Sequence, residues 1–253
     1  PLSDADRASE LYRDLLAHDP RDTTALVSLG QLYSERERLP ELLMLRRHEL
    51  ALSPDLERKL ALRLEVARLT GELETRGDRV GALQQNLADR PGHRPSLDAL
   101  GMILRQKGQH AELSVIFDKQ ARVLRDLGRG DEAAWLYRQV AELRERALAD
   151  VPGALVAYRE LHALVPEGDA SEALARLHAE LGEHAKAAEW WEIRLAVAPQ
   201  ELRATIAIAL ARAHIASLQS VRARACLELA LVQDPSVDEA RDPASKRGLG
   251  QTL

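Results

Sequence analysis

Ala154-Leu155-Val156-Ala157-Tyr158-Arg159-Glu160-Leu161-His162-Ala163-Leu164-Val165-Pro166 is the stretch from which the rest of the chain can be read. Ala154, Tyr158 and Leu161 stand 12, 8 and 5 residues before the proline. Spacings of four and three put all three on one face of an α-helix. Pro166 then ends the helix, because its ring and missing N–H cannot continue it. The same offsets recur at Ala8, Tyr12 and Leu15 before Pro20, and at Ala223, Leu227 and Ala230 before Pro235. Pro20, Pro54, Pro91, Pro166, Pro199 and Pro235 lie 34, 37, 75, 33 and 36 residues apart. The long interval is close to two short ones, so the chain carries a repeat of about 34 to 37 residues.

A second amphipathic segment precedes the proline-terminated ones that follow Pro20. Leu26, Leu29, Gly30 and Tyr33 share their spacing with Leu97, Leu100, Gly101 and Leu104. A glycine at that point admits a neighbouring helix closely, at about 1 kcal/mol in helix propensity. Gly108-Gln109-His110-Ala111-Glu112 matches Gly182-Glu183-His184-Ala185-Lys186 at an offset of 74, with both glycines where a first helix turns into a second. The repeat between Leu127 and Pro166 lacks the glycine and carries an extended first helix near Asp131 to Asp150. The second helix after Pro40 sets Arg46 and Glu49 at positions that are otherwise apolar.

These residues resemble the tetratricopeptide repeat, particularly its long bacterial arrays, over nearly the whole chain to about Pro235. The resemblance implies an all-α, right-handed solenoid of about six helix-turn-helix pairs plus an unpaired N-terminal helix. The pairs are expected at 23–54, 57–91, 94–127, 131–166, 169–199 and 201–235, with a lone second helix over 4–20 and an irregular tail over 236–253. A chain that opens inside a second helix is expected to be a fragment of a longer array, because a solenoid end needs a polar cap.

Composition agrees with this class. Apolar residues make up 45% of the 253, charged residues 30% and aromatics 3%. Ala, Leu, Arg and Glu, which lose little rotamer freedom in a helix, dominate. The net charge of −5, without basic clusters, argues against a general nucleic-acid surface. No apolar run reaches the roughly 20 residues of a membrane span. No signal-peptide pattern opens the sequence, so the expected compartment is the cytoplasm. Cys226 is the single cysteine, which excludes an internal disulfide.

Catalytic signatures are missing: there is no phosphate-cradling glycine loop, no Gly-x-Ser-x-Gly elbow and no His-Glu-x-x-His. None of the eight histidines stands three or four residues from another, so no metal site is expected, nor any cofactor. The expected function is a non-catalytic scaffold holding a protein or peptide. The alternatives are a structural module that self-associates through its repeat ends, and a regulatory domain of a larger multidomain protein.

The resemblance implies that ligands lie against the first helices, on a concave face. The register places Gln31 and Glu35 there, then Arg68, Met102 and Arg105, then Arg138 and Glu142, then Arg176 and Arg212. Arginine's planar fork suits carboxylates, so this series reads as a polar groove for an acidic peptide. Trp190, beside Trp191 in an aromatic-poor chain, is the candidate aromatic contact.

Overall fold

The computed structural model describes residues 4–75 and 77–234. Their regular structure is helical throughout: α1 Asp4–His18, α2 Thr23–Glu35, α3 Leu39–Leu52, α4 Leu56–Glu72, α5 Arg79–Asp89, α6 Arg94–Gln106, α7 His110–Asp126, α8 Gly130–Glu142, α9 Val151–Leu164, α10 Ala170–Glu180, α11 His184–Val197, α12 Gln200–Ala216 and α13 Ser220–Gln233. A π-helical turn, Leu143–Ala147, extends α8. Packing divides the chain into two compact units, one ending at Leu113 and one starting at Ser114, with the division inside α7.

In the first unit, α2 packs on α3, α4 on α5, and α1 covers α2. Its core gathers Leu26, Leu29 and Tyr33 of α2, Leu42, Leu43 and Leu45 of α3, and Leu69 of α4, with Tyr12 and Leu16 of α1 against them. A polar pin runs through the same unit. Asn86 of α5 is fully buried and its amide donates to the Leu60 carbonyl of α4 at 3.0 Å and to Ser96 Oγ of α6 at 2.9 Å. Its Oδ1 accepts from Arg63 of α4 at 3.1 Å. A fully satisfied buried amide specifies one arrangement of three helices, because every alternative leaves a polar group unpaired.

In the second unit, α8 packs on α9, α10 on α11 and α12 on α13. The core is alanine-rich: Ala187, Ala188, Leu210 and Ala213 form one cluster, against which Trp191, Leu195 and Cys226 pack. Ala207, Ile208 and Ala230 form another. Burial pushes the Cys226 thiol up from its ordinary value, away from the thiolate form that reacts.

Arg46 and Glu49, the charges at apolar positions of α3, are buried as a network. Arg46 donates to Glu49 Oε2 at 2.9 Å, and its Nε lies 2.9 Å from Glu65 Oε2 of α4. Glu49 also receives Arg58 of α4. The Arg46 guanidinium occupies the space over Gly30, where a Cβ would stand 2.6 Å from it. The glycine of α2 therefore admits a cation rather than a helix backbone.

Each turn from a first to a second helix holds one residue at positive φ: Glu37, Glu74, Gly108, Ala149, Gly182 and Leu218. In five of the six the next N–H closes on the carbonyl five residues back, as in Arg38 to Tyr33 (2.8 Å), Gln109 to Leu104 (2.8 Å) and Gln219 to His214 (2.8 Å). This is the Schellman closure of a helix end. In the fourth pair the π turn widens the closure, and Asp150 N–H reaches the carbonyl of Arg144 at 2.8 Å.

A Cβ at Gly108 or Gly182 would meet nothing within 4 Å, so only the backbone angle calls for glycine there. Leu218, at φ 61° and 93% exposed, occupies the same conformation with no packing in return. Left-handed backbone costs a side chain roughly 1–2 kcal/mol, against which glycine loses about 0.4–1 kcal/mol of chain entropy. Gly182→Ala should therefore lower stability by about 1 kcal/mol, and Leu218→Gly should raise it by up to about 1 kcal/mol. Urea unfolding of the purified chain followed by circular dichroism checks both.

Candidate partner-binding surface

The sequence-selected residues other than Trp190, which lies on the second helix α11, fall on the first helices of their pairs, and their chemistry differs from a row of free cations. Gln31 donates to Glu35 at 2.8 Å. Arg68 donates to Glu72, one turn further along α4, at 2.7 Å. In the second unit Arg138 of α8 binds Asp169 at the start of α10, with Nη1 2.9 Å from Oδ2. Arg176 of α10 donates to Glu180 at 3.0 Å and also to Glu145 in the π turn. Glu142 is half-buried one turn beyond Arg138. Arg105 and Arg212 are exposed, and neither is without a partner.

The π turn explains part of this wiring. It aims Glu145 inward, where it accepts from the Tyr158 hydroxyl at 2.8 Å as well as from Arg176. Burial, and then the bond to Glu145, push the Tyr158 phenol far above its ordinary value. Arg144 donates to Ser114 Oγ and the Gly153 carbonyl, each at 3.2 Å.

Trp190 is half-buried, its ring edge-on to His162 of α9 with centroids 5.2 Å apart. It meets the adjoining pair. Trp135 is likewise engaged, 6.1 Å from Phe117 of α7.

Two of the selected residues, Arg68 and Met102, meet at one cleft. It lies in the first unit between α4 and α6, has a volume of about 430 Å³, and is lined by Ala61, Leu64, Ala67, Ala99, Met102 and Ile103, together with the charged Glu65, Arg68 and Arg79. Met102 is 63% exposed, a flexible thioether at the mouth of an apolar site. Sequence reasoning missed Arg79: nothing local marks the first residue of α5 as reaching back to Gly71 of α4. There a Cβ would lie 2.4 Å from the Arg79 Cζ.

Two successive first helices lining one cleft, each joined to its second helix by a Schellman turn, are what a repeat of 34 to 37 residues builds. The fold is of the tetratricopeptide type. No family model matches the sequence, and no curated protein matches it. Among solved structures the chain is similar to the MamA protein (18% identity over 76% of this chain and 98% of that one, TM-score 0.47). It is similar also to the C-terminal part of a TPR repeat-containing protein from Cytophaga hutchinsonii (13%, 95% and 94%, TM-score 0.48). A third is YrrB, described as a TPR protein with an unusual peptide-binding site (14%, 93% and 98%, TM-score 0.44). The helix-pair geometry of the chain itself, not these likenesses, is the ground for the fold assignment.

Among the described residues no group of three or more His, Cys, Asp and Glu side chains is placed to hold a metal, and no helix is long and apolar enough to cross a membrane.

The Arg138–Asp169 pair sets a pH dependence. Arg138 donating to Asp169 holds that carboxyl below the usual aspartate range. A lowered folded-state pKa contributes stability above the unfolded value of about 3.9 and loses it as pH falls through the lowered value. The Asp169 side chain is 58% exposed, which limits the pair to about 0.5–1 kcal/mol. Asp169→Asn should lower the thermal midpoint at pH 7, and the difference from the parent should shrink progressively as pH falls below the unfolded value of about 3.9. Thermal melts across a pH series measure it.

Proposed function

We propose that this chain is a non-catalytic scaffold that holds a protein or peptide partner against its first helices, with the cleft between α4 and α6 as a principal point of engagement. The observation that carries the reading is the exposed Met102 over an apolar cleft of peptide-side-chain size. Clefts of this kind, mostly apolar with a few convergent polar groups, are where ligands are held. The arginines of the first helices contribute differently from the groove expected from sequence. Arg68, Arg138 and Arg176 already satisfy carboxylates of their own chain. A partner's acid would have to displace those, so they fix the surface and its register more than its affinity.

A photo-crosslinking residue at position 102 should capture the partner. Met102→Glu should then weaken that complex at least tenfold, because it places a charge in an apolar contact. Met44→Glu, at a methionine equally exposed on the second helix α3, should leave it unchanged. Equal effects from both substitutions would sink the reading.

Self-association is the second reading, favoured by α13. Val221 and Val232 there are 84% and 76% exposed, beside a cleft of about 390 Å³ lined by Ile215, Ala223, Leu227 and Leu231. Light-scattering mass that rises with concentration, and falls to the monomer on Val232→Asp, would favour this reading over the first.

A further inference from the structure

Of the two arginines that line the α4–α6 cleft, Arg68 is paired with Glu72 and Arg79 is the one left without a carboxylate. Its Nε is buried without a hydrogen-bond partner, and among the described residues no carboxylate pairs with its guanidinium. The acids around it are engaged elsewhere. Asp78, the preceding residue, caps α5 by accepting from the Gly81 N–H at 2.7 Å. Glu65, the carboxylate among the cleft residues, lies against Arg46, and Glu72 takes Arg68. Packing against Gly71 holds the Arg79 guanidinium in the lining of the α4–α6 cleft, beside Leu64, Met102 and Ile103. A partly desolvated arginine without a counter-ion is costly to keep, and an anion brought to it recovers that cost in a charge-assisted, two-pronged bond. The apolar wall selects among anions, since only one attached to an aliphatic group fills the rest of the cleft.

We propose that the cleft binds an extended peptide through an aliphatic side chain followed by an aspartate or glutamate, with the Arg79 guanidinium donating to the carboxylate. This rests on the reading that the cleft is where a protein partner engages, and supplies that partner's chemistry. Arg68 borders the same cleft but keeps Glu72, so the specificity for acid falls to Arg79.

The test uses the full chain and fluorescein-labelled 12-residue Gly/Ser peptides with Leu-Asp, Leu-Asn or Gly-Asp at the centre, read by fluorescence anisotropy. The Leu-Asp peptide should bind about tenfold tighter than either other peptide. Arg79→Met, which preserves length over Gly71, should bring Leu-Asp down to Leu-Asn and leave Leu-Asn unchanged. Arg79→Lys should recover part of the difference, because it restores the charge without the planar fork. Equal affinity for Leu-Asp and Leu-Asn in the parent overturns the carboxylate assignment, and binding that is still lost on Met102→Glu would leave the scaffold reading standing. Displacement of Leu-Asp by millimolar inorganic phosphate, with Gly-Asp binding as well as Leu-Asp, identifies a plain anion site and overturns the peptide assignment. No binding by any peptide that Met102→Glu abolishes overturns both.

Discussion

The described structure depends on reversing the chain at the end of each of six first helices, across three residues in five of them and six between α4 and α5. A helix end leaves four carbonyls without intrahelical partners, and a tight reversal can satisfy some of them with the residues at hand. One residue at positive φ does so, by swinging the next N–H back onto the last turn. With that closure made, the second helix has little choice of direction and lays its Ala, Tyr and Leu face against the first. The requirement falls on the backbone angle, which is why glycine, glutamate, alanine and leucine all appear at the same turn. The core can then be built largely from alanine and leucine, which are not branched at Cβ and suit closely packed helices.

Much of this was legible in the sequence. The prolines and the four-and-three spacing before them announce helix pairs, because a ring that cannot continue a helix leaves an unmistakable mark. Gly108 and Gly182 were visible as turns for a similar reason. Glu37, Glu74 and Leu218 were not, since a side chain tolerating a strained angle leaves no compositional trace. The site was legible only in outline. Spacing places Arg68 and Met102 on first helices, yet cannot say that Arg68 is spent on Glu72 or that Met102 stands open. Arg79 was illegible because its importance depends on what surrounds it: a glycine eight residues earlier that makes room, and neighbouring acids occupied elsewhere.

The glycines of α2 and α4 carry a related lesson. A small residue in a first helix is readily taken as a point where two backbones approach. Here the space over Gly30 and Gly71 is filled by the guanidinium groups of Arg46 and Arg79. The two arginines have opposite outcomes. Arg46 is enclosed with Glu49 and Glu65 and holds α3 to α4, where losing either sign would strand a buried charge. Arg79 sits in an equivalent notch without an acid and remains available. The same device, a cation laid on a glycine, serves cohesion in one place and recognition in the other.

The π turn at Leu143–Ala147 shows how such an array tolerates unequal lengths. From one positive-φ turn to the next the chain advances 37, 34, 41, 33 and 36 residues, and the longest step is the one that contains the π turn. The surplus is absorbed as a wider coil at the end of α8, so α9 still begins with its capping Asp150 in place. Insertions need not propagate through the repeats that follow. A comparison of the pairs by fixed period would shift every position of α9 by several residues, whereas counting from the turns would align them, so the turns are the natural origin for numbering this array.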